Sequence, residues 1–469
     1  MTLDLTKYGQ QFTLSNINEE LYTIGATSSD IDRVKIVKHA IIPNFAFEEW
    51  PNLEVVENLR YCDSIGGGAF YSCGKLSNDK LDNCSYIGSE AFYECHSIDF
   101  KDLSCVQHIE NRAFNSSGLN GDIKVGDVSS GGVFAYTEIE TVTIPKGSNI
   151  GYSCFSGCSD LTIVYNLRYA SGIGSAAFYG CDSLTTDIIL NNCTLGKEAF
   201  AFSGITGVKA TNLLSIDPDD HETSGIRAFS TCTNLLYAEI DALPEEIFSY
   251  DTNLETVRIP KRTSIFRSAF YGCSGLRLVY NLGYSTYIGE AAFLECSSLE
   301  NDKLGLGGTT YLQEEAFRNC EKVTFKDFTN VYTMVHAPFV GCSSITEAIC
   351  NDVGPGWFED CDNLRQVTVN KGAYLGPTCF IGCTNLETIY NLRYCLEISE
   401  YFLYNAGENL TNNTINLTID LISELAFGNC QKLEWNLPNI TISELTNKNY
   451  CAATEGTVFH CSDGDLTVP

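Results

Sequence analysis

The chain has 469 residues, of which 44% are hydrophobic, and its 59 acidic and 29 basic residues give a formal net charge of −30. Nucleic acids and anionic membrane faces are recognised through cationic surfaces, so this charge argues against both as ligands. The excess of carboxylates favours one of two explanations: solubility of a long self-repelling chain, or an acidic surface that selects cationic partners.

No membrane-directing segment is visible in the sequence. The first thirty residues lack the basic start and apolar stretch of a signal peptide. No apolar run reaches the roughly 18 residues that a membrane-spanning helix needs, so membrane insertion is not expected. An extracellular or cell-surface location would therefore require another export route or a trimmed leader. The alternative is a location in a virion or in the cytoplasm.

The N-terminal segment, residues 1–46, is predicted to be a cap with one degenerate turn at residues 31–36 behind a polar lead. From residue 47 onward an Ala-Phe-x-x-Cys-x-x-Leu pattern recurs about every 22 residues, and twelve of eighteen marker Phe residues are followed by Cys three positions later. The marker residues are Phe47, Phe70, Phe92, Phe114, Phe134, Phe155, Phe178, Phe200, Phe229, Phe248, Phe270, Phe293, Phe317, Phe339, Phe358, Phe380, Phe402 and Phe427.

Each repeat also contains a short alternating run, as in Leu254-Glu-Thr-Val257-Arg-Ile259, which predicts a strand with one buried face. One such unit cannot bury its apolar face alone, whereas stacked units can. We therefore predict a β-rich, right-handed solenoid of about 18 turns with a parallel sheet on one face. The Phe residues should form an internal ladder, and the Cys residues a second ladder of buried thiols.

A longer period of about 111 residues lies above the short one. Asn58-Leu-Arg-Tyr61 recurs as Asn166-Leu-Arg-Tyr169, Asn281-Leu-Gly-Tyr284 and Asn391-Leu-Arg-Tyr394. This recurrence predicts that residues 47–440 consist of five-repeat blocks that begin near residues 47, 155, 270 and 380. Residues 441–469 lose the spacing and are predicted to be a C-terminal cap, in which Asp463-Gly464 indicates a tight hairpin.

The repeat resembles the BspA-type leucine-rich repeats (the Treponema pallidum class), whose turns read Cys-x-x-Leu-x-x-Ile-x-Ile-Pro, then Ile-Gly, then Ala-Phe. This resemblance covers roughly residues 31–440 and is carried by segments such as Leu254-Glu-Thr-Val257-Arg-Ile259-Pro260 and Ile288-Gly-Glu-Ala-Ala-Phe293. The resemblance implies a leucine-rich-repeat solenoid with a binding or adhesion surface, and it implies no catalytic residues. The closing Cys461-Ser-Asp-Gly-Asp also resembles tails on repeat proteins of gut bacteria and their phages.

Chemistry other than binding has little support in the sequence. Cys recurs at the repeat period, which a core ladder explains, although Cys451 and Cys461 in the C-terminal cap remain candidates for a disulfide. The six His residues have no metal-binding spacing, and nucleophile-elbow, P-loop and dinucleotide motifs are absent. The acidic insert at residues 217–222 favours a solvated loop over a Ca²⁺ site. We therefore expect no enzyme activity, metal or cofactor.

The candidate ligand-binding residues are those predicted to point outward from the strand sheet. Tyr and Arg dominate binding hot spots, although Tyr also suits an exposed strand for structural reasons alone. Tyr165, Tyr280 and Tyr390 each follow a marker Phe by ten residues, and Thr143, Arg258 and Thr368 fill the equivalent place one turn earlier. Lys101 and Lys326 are expected nearby in register. The Asn residues beside the tyrosines have a competing structural role, which is to bond the backbone inside the turn.

The preferred interpretation is a non-enzymatic, monomeric recognition or adhesion protein that presents its sheet to a protein or glycan. The alternative is a structural component of a phage virion or surface layer, in which the solenoid is a rigid spacer. The Phe and Cys ladders predict the architecture of the chain and do not distinguish between these two functions.

Overall fold

The computed structural model describes the chain except residues 214–224, 301–305, 307–310, 332–335, 407–408, 412–413, 424, 428–433 and 454. The acidic insert at residues 217–222 and Cys430 therefore lie outside the described residues. The chain divides into two compact units, Met1–Glu239 and Ile240–Pro469. Both are built from turns of a parallel β-solenoid, about 18 in all and about 22 residues each, which confirms the predicted fold class.

The strands of the first unit are short, as turns of about 22 residues with two strands each require. They are β1 Thr2–Asp4, β2 Arg33–Lys35, β3 Ile41–Ile42, β4 Val55–Glu57, β5 Ser64–Ile65, β6 Tyr86–Ile87, β7 Asp102–Leu103, β8 His108–Ile109, β9 Asn120–Val125, β10 Glu138–Thr143, β11 Asn149–Ile150, β12 Ile163–Tyr165, β13 Gly172–Ile173, β14 Asp187–Asn191, β15 Thr194–Leu195 and β16 Gly207–Thr211. The next strand, β17 Tyr237–Ile240, spans the boundary of the units.

The strands of the second unit repeat the scheme. They are β18 Thr256–Arg258, β19 Ser264–Ile265, β20 Leu278–Tyr280, β21 Tyr287–Ile288, β22 Tyr311–Leu312, β23 Glu347–Cys350, β24 Gln366–Val369, β25 Tyr374–Leu375, β26 Thr388–Tyr390, β27 Glu397–Ile398, β28 Glu434–Leu437, β29 Val458–Cys461 and β30 Gly464–Thr467. Two α-helices, α1 Leu14–Ile24 and α2 Ile442–Asn447, belong to the terminal segments.

The strands form two series of parallel sheets. In the first unit, β1-β2-β4 and β7-β9-β10-β12 belong to the series that follows the Cys-x-x-Leu segment, and β3-β5-β6-β8 and β11-β13-β15 to the series that precedes Ala-Phe. In the second unit, β23-β24-β26 and β19-β21-β22 are the corresponding sheets. Successive turns pair in register, apart from a shift between Ile139 and Thr141 in the β9–β10 pair, and this pairing buries the same repeat position along each sheet.

The marker Phe residues form the predicted ladder inside the turns. Phe178 is fully buried and stacks between Phe155 and Phe200, with ring centroids 5.4 and 5.0 Å apart. In the second unit Phe293 stacks on Phe270 and Phe317, both at 5.1 Å. Offset stacking of buried rings contributes roughly 0.5–1.5 kcal/mol per pair beyond the burial of apolar area.

The Cys residues form the second predicted ladder, and the structure explains why Cys follows Phe by three residues. The thiol of Cys181 is buried and donates to the carbonyl oxygen of Phe155 in the preceding turn at 3.2 Å. The same oxygen accepts the main-chain N–H of Cys158 at 3.2 Å. The Phe N–H in turn donates to Ala177 of the following turn at 2.8 Å. Together these bonds satisfy the buried Phe peptide group.

The terminal segments differ from the repeats. The N-terminal lead was expected only to be polar, but it contains helix α1. A capping box between Thr13 and Asn16 begins this helix, and left-handed Gly25 ends it. The predicted C-terminal hairpin is confirmed, because β29 and β30 pair antiparallel with Cys461 opposite Gly464. Cys451 is buried and Cys461 half-buried, and both are thiols.

Candidate ligand-binding surface

Each of the three candidate tyrosines lies on the terminal strand of its sheet. Tyr165 ends β12, Tyr280 ends β20 and Tyr390 ends β26, and the sheets end with these strands. The exposed fractions of the three residues are 49%, 40% and 46%. Strand β12 ends at Tyr165 because the next residue, Asn166, adopts left-handed backbone with φ 73° and starts a 3₁₀ turn, Leu167–Tyr169.

The predicted neighbours one turn earlier lie directly opposite the tyrosines. Thr143 pairs with Tyr165, Arg258 with Tyr280, and Thr368 with Tyr390 in the strand registers. The guanidinium carbon of Arg258 lies 4.5 Å from the centroid of the Tyr280 ring. An exposed cation–π contact of this kind contributes roughly 0.5–1 kcal/mol.

The two candidate lysines lie one residue outside this row. Asp102 occupies the row position through its pairing with Lys124, so Lys101 precedes it. The Lys101 ammonium is held by Asp99 at 2.5 Å and by the Asn120 carbonyl oxygen at 2.7 Å. Lys326 likewise precedes Asp327, which bridges to Ile349, and forms an ion pair with Glu347. Both lysines therefore have local acceptors.

The asparagines beside the tyrosines bond backbone, as considered for them, but the acceptors lie in the preceding turn and not inside the same turn. The side-chain amides of Asn58, Asn166, Asn281 and Asn391 donate to the carbonyl oxygens of Ile36, Ile144, Ile259 and Val369 at 2.7, 2.9, 2.7 and 2.8 Å. These bonds hold the 3₁₀ turn against the turn before it and fix where its side chains project.

The 3₁₀ turns carry a feature that the sequence analysis missed. The Lys146 ammonium lies 4.9 Å from the centroid of the Tyr169 ring, and the guanidinium carbon of Arg168 lies 4.6 Å from it. Arg168 also donates to the Tyr169 hydroxyl at 2.6 Å. We call these groups cation–tyrosine clusters. They consist of Lys146, Arg168 and Tyr169; Lys261 and Tyr284; and Lys371, Arg393 and Tyr394.

The signal for these clusters is present in the sequence as Ile144-Pro-Lys-Gly, Ile259-Pro-Lys-Arg and Val369-Asn-Lys-Gly, each about 20 residues before an Asn-Leu-Arg-Tyr or Asn-Leu-Gly-Tyr motif. Their meeting depends on the stacking of successive turns. The N–H of Gly147 donates to the carbonyl oxygen of Tyr169 at 3.0 Å, and that of Gly372 to Tyr394 at 2.7 Å. These bonds bring the lysine of one turn over the tyrosine of the next.

The arginines in and beside the clusters differ from the other arginines because they have no carboxylate partner. Eight of the twelve arginines pair with a carboxylate within 4.0 Å: Arg33, Arg60, Arg112, Arg227, Arg267, Arg277, Arg318 and Arg365. In the described part of the chain no carboxylate pairs with Arg168, Arg258, Arg262 or Arg393. These four lie in, or within three residues of, the cluster motifs, so cationic charge is concentrated there.

A shallow cavity of about 400 Å³ adjoins the first of these clusters. Tyr165, Arg168 and Tyr169 line one side, and residues 186–189, which include Asp187 and Ile189, line the other. It forms where β12 ends one sheet and β14 belongs to another. Asp187 accepts a hydrogen bond from the Tyr237 hydroxyl, and this bond raises the pKa of Tyr237.

The first Asn-Leu-Arg-Tyr turn departs from the other three. Glu57 occupies the position of the exposed tyrosines and pairs with Arg33 at 3.3 Å. Lys38 lies 4.6 Å and Arg60 4.9 Å from the centroid of the Tyr61 ring, but Arg60 forms an ion pair with Asp82. This turn therefore has the geometry of a cluster without an unneutralised arginine.

Within the described ranges, no group of three or more His, Cys, Asp or Glu residues is arranged to hold a metal ion. The same part of the chain contains no helix with the length and apolarity needed to cross a membrane. The buried ladder thiols are poor candidates for redox chemistry, since burial raises the pKa of Cys73 to about 12 and that of Cys158 to about 11.

Comparison with known proteins identifies the repeat. The BspA-type leucine-rich repeat region, in six copies, matches residues 15–128, 40–162, 129–243, 241–353 and 310–434. No curated relative matches the sequence. Among solved structures, a leucine-rich repeat protein from Bacteroides ovatus shares 20% identity and a TM-score of 0.47, with 82% of this chain and 85% of that chain covered.

Two further solved structures are similar over most of their length. A leucine rich cell surface protein from Faecalibacterium prausnitzii is 21% identical with a TM-score of 0.32, covering 77% of this chain and 83% of that chain. The pneumococcal vaccine antigen PcpA is 11% identical with a TM-score of 0.26, covering 94% and 79%. These likenesses carry no argument about function. Because the repeat match extends over residues 15–434, the chain belongs to the BspA-type leucine-rich repeat family.

Proposed function

We propose that the chain is a non-enzymatic recognition protein that binds a protein or glycan ligand through the sheet ends bearing Tyr165, Tyr280 and Tyr390. The observation that carries this proposal is the recurrence of one exposed tyrosine on the terminal strand of three sheets. Tyrosines that served only the core would be buried, whereas these rings are exposed. Exposed aromatic side chains are the residues that interfaces commonly use as anchors.

The surroundings of these tyrosines support binding over catalysis. Thr143, Arg258 and Thr368 provide one neutral or cationic partner opposite each ring. The cavity beside Tyr165 is open and has one wall that includes Ile189, which is 50% exposed. Exposed apolar and aromatic area with a few polar groups is typical of a recognition surface. Lys101 and Lys326 are proposed as peripheral contacts of the same surface.

The proposal includes an extracellular or cell-surface location and a monomeric state. Family membership supports an interaction role, and the net charge of −30 supports a self-repelling chain. Fractionation of the source cells with an antibody against the chain tests the location, and sedimentation equilibrium tests the oligomeric state.

The binding proposal is tested with arrays of extracellular matrix proteins and glycans probed by the full chain. The variant carries Tyr165→Ala, Tyr280→Ala and Tyr390→Ala. The matched control carries Tyr22→Ala, Tyr86→Ala and Tyr311→Ala, which remove exposed rings from other surfaces. We expect the first variant to lose at least tenfold in affinity and the control to bind like the wild type. Undiminished binding by the first variant, or equal loss in both, would reject the sheet-end surface.

A further inference from the structure

We propose that the cation–tyrosine clusters are anion-binding sites and that their ligand is an anionic polysaccharide, whose carboxylate or sulfate groups each occupy one cluster. This inference rests on the proposed recognition function and specifies its ligand class. The clusters contain Lys146, Arg168 and Tyr169; Lys261 and Tyr284 with Arg258 beside them; and Lys371, Arg393 and Tyr394.

The charge distribution is the first argument. In a chain with twice as many acidic as basic residues, eight of the twelve arginines pair with a carboxylate, so an arginine without such a partner is the exception. Yet in the described residues no carboxylate forms an ion pair with Lys146, Lys261 or Lys371, or with Arg168 or Arg393. Their positive charge is therefore available to an external anion.

The positioning of these cations is the second argument. Each lysine lies 4.2–4.9 Å from the centroid of a tyrosine ring, which restricts an otherwise flexible side chain. In two clusters the guanidinium carbon of an arginine also lies 4.6 Å from the centroid of the same ring, so two cations contact one tyrosine. Arginine presents paired N–H donors that match the oxygens of a carboxylate or sulfate. Because the tyrosine rings already restrict these lysine and arginine side chains, binding an anion costs less conformational entropy.

The spacing of the clusters favours a polymer with regularly repeated charge. In the second unit, Tyr284 and Tyr394 are separated by five turns, which at about 4.8 Å per strand corresponds to about 24 Å. Two equivalent sites five turns apart suit a chain of identical charged sugars better than an acidic peptide, whose carboxylates have no such period. Each exposed site is expected to be weak, and simultaneous occupation of several gives the affinity.

The first Asn-Leu-Arg-Tyr turn serves as an internal comparison. Its Arg60 is neutralised by Asp82, and Glu57 stands where the other turns have tyrosine. Lys38 still lies 4.6 Å from the Tyr61 ring, so this turn should bind an anion more weakly than the three clusters. Glu57→Tyr combined with Asp82→Asn would remove both carboxylates and should strengthen this site.

The test uses the full chain and dextran in three forms: unmodified, sulfated and carboxymethylated, with poly-L-glutamate as the peptide polyanion. Binding is measured by interferometry at low salt and again at about 150 mM salt, where screening extends to about 8 Å. We expect one or both charged dextrans to bind and unmodified dextran not to bind. The sulfated and carboxymethylated arms identify which anion is preferred.

The cluster variant carries Lys146→Gln, Lys261→Gln and Lys371→Gln. Its control, Arg267→Gln, Arg277→Gln and Arg365→Gln, removes the same charge from arginines that pair with Glu290, Glu300 and Glu387. We expect at least a tenfold loss of affinity for the charged dextran in the cluster variant and less than a threefold loss in the control. The Glu57→Tyr, Asp82→Asn variant should bind more tightly than the wild type.

Four outcomes would overturn the inference. Equal losses in the cluster variant and its control would show that only net charge matters. Binding of unmodified dextran as tight as that of the charged forms would remove the role of the anion. Binding of poly-L-glutamate as tight as that of the charged dextrans would reject the polysaccharide class. If the tyrosine variant loses an array ligand that the cluster variant retains, the proposed function stands and this inference fails.

Discussion

The side-chain amide of Asn166 donates a 2.9 Å hydrogen bond to the carbonyl oxygen of Ile144, one turn earlier in the solenoid. Asn166 itself has φ 73°, a backbone conformation that costs most residues about 1–2 kcal/mol. One residue therefore ends strand β12, starts the 3₁₀ turn that presents Arg168 and Tyr169, and attaches that turn to its neighbour.

Asn166→Gly and Asn166→Ala separate these roles. Glycine tolerates the left-handed backbone and loses only the hydrogen bond, which should lower the free energy of unfolding by about 0.5–1.5 kcal/mol. Alanine loses the bond and adds backbone strain, so its loss should be greater by about 1 kcal/mol. Denaturant midpoints of the two variants measure the difference. Equal midpoints would contradict the role of the left-handed backbone.

The Phe ladder should tolerate little truncation. Phe178 is fully buried between two stacked rings, so Phe178→Ala leaves a cavity that the neighbours cannot fill. We expect a loss of about 3–5 kcal/mol in the free energy of unfolding. Phe202→Ala is the control, because that side chain is 47% exposed, and it should cost clearly less. Similar losses for both changes would exclude the ladder as the main stabilising contact.

The Ile-Gly position of the repeat is restricted by the backbone of the preceding turn. A Cβ atom at Gly174 would lie 2.6 Å from the main-chain nitrogen of Tyr152, which is too close. Gly180 has φ 67° but open space around the same atom. Gly174→Ala should therefore lower the thermal midpoint more than Gly180→Ala, whose cost is the about 1–2 kcal/mol of left-handed backbone. A larger effect at Gly180 would show that inter-turn contact is not limiting.

The thiol ladder should make the fold sensitive to alkali. Burial raises the pKa of Cys158 to about 11 and that of Cys73 to about 12, and it also raises the pKa of Cys296 and Cys320. Between the unfolded pKa of about 8.5 and these values, the unfolded chain loses protons that the folded chain keeps. The stabilisation is complete below pH ~8.5 and declines above it by about 1.4 kcal/mol per pH unit for each thiol.

This expectation is tested by measuring the free energy of unfolding by circular dichroism from pH 8 upward. The range starts just below the ordinary thiol pKa of about 8.5. Removing three ladder thiols with Cys273→Ala, Cys296→Ala and Cys320→Ala should make stability fall less steeply with pH, even if the variant is less stable overall. An unchanged slope would show that other groups control alkaline unfolding. In the native protein these thiols should also resist a thiol reagent, whereas half-buried Cys105 and Cys461 should react first.

Much of the architecture could be predicted from the sequence because a solenoid repeats one local solution. The Phe and Cys positions, the parallel strands and the cross-strand partners of Tyr165, Tyr280 and Tyr390 all follow from a constant period, and the structure confirms each. The N-terminal helix was missed, because the segment at Leu14–Ile24 buries little apolar surface and depends on its caps. The role of the strand-face residues in binding stays a prediction.

The sequence by itself determined the repeat, the core ladders and the register, since period and side-chain alternation are local properties that each turn satisfies in the same way. Only the tertiary structure decided where sheets end, which acceptors in the next turn hold Lys101 and Lys326, and that Lys146 meets Tyr169. The physical reason is that these relationships join different turns. They depend on the rise between turns, the left-handed asparagine and the side-chain conformations, none of which a spacing along the chain specifies.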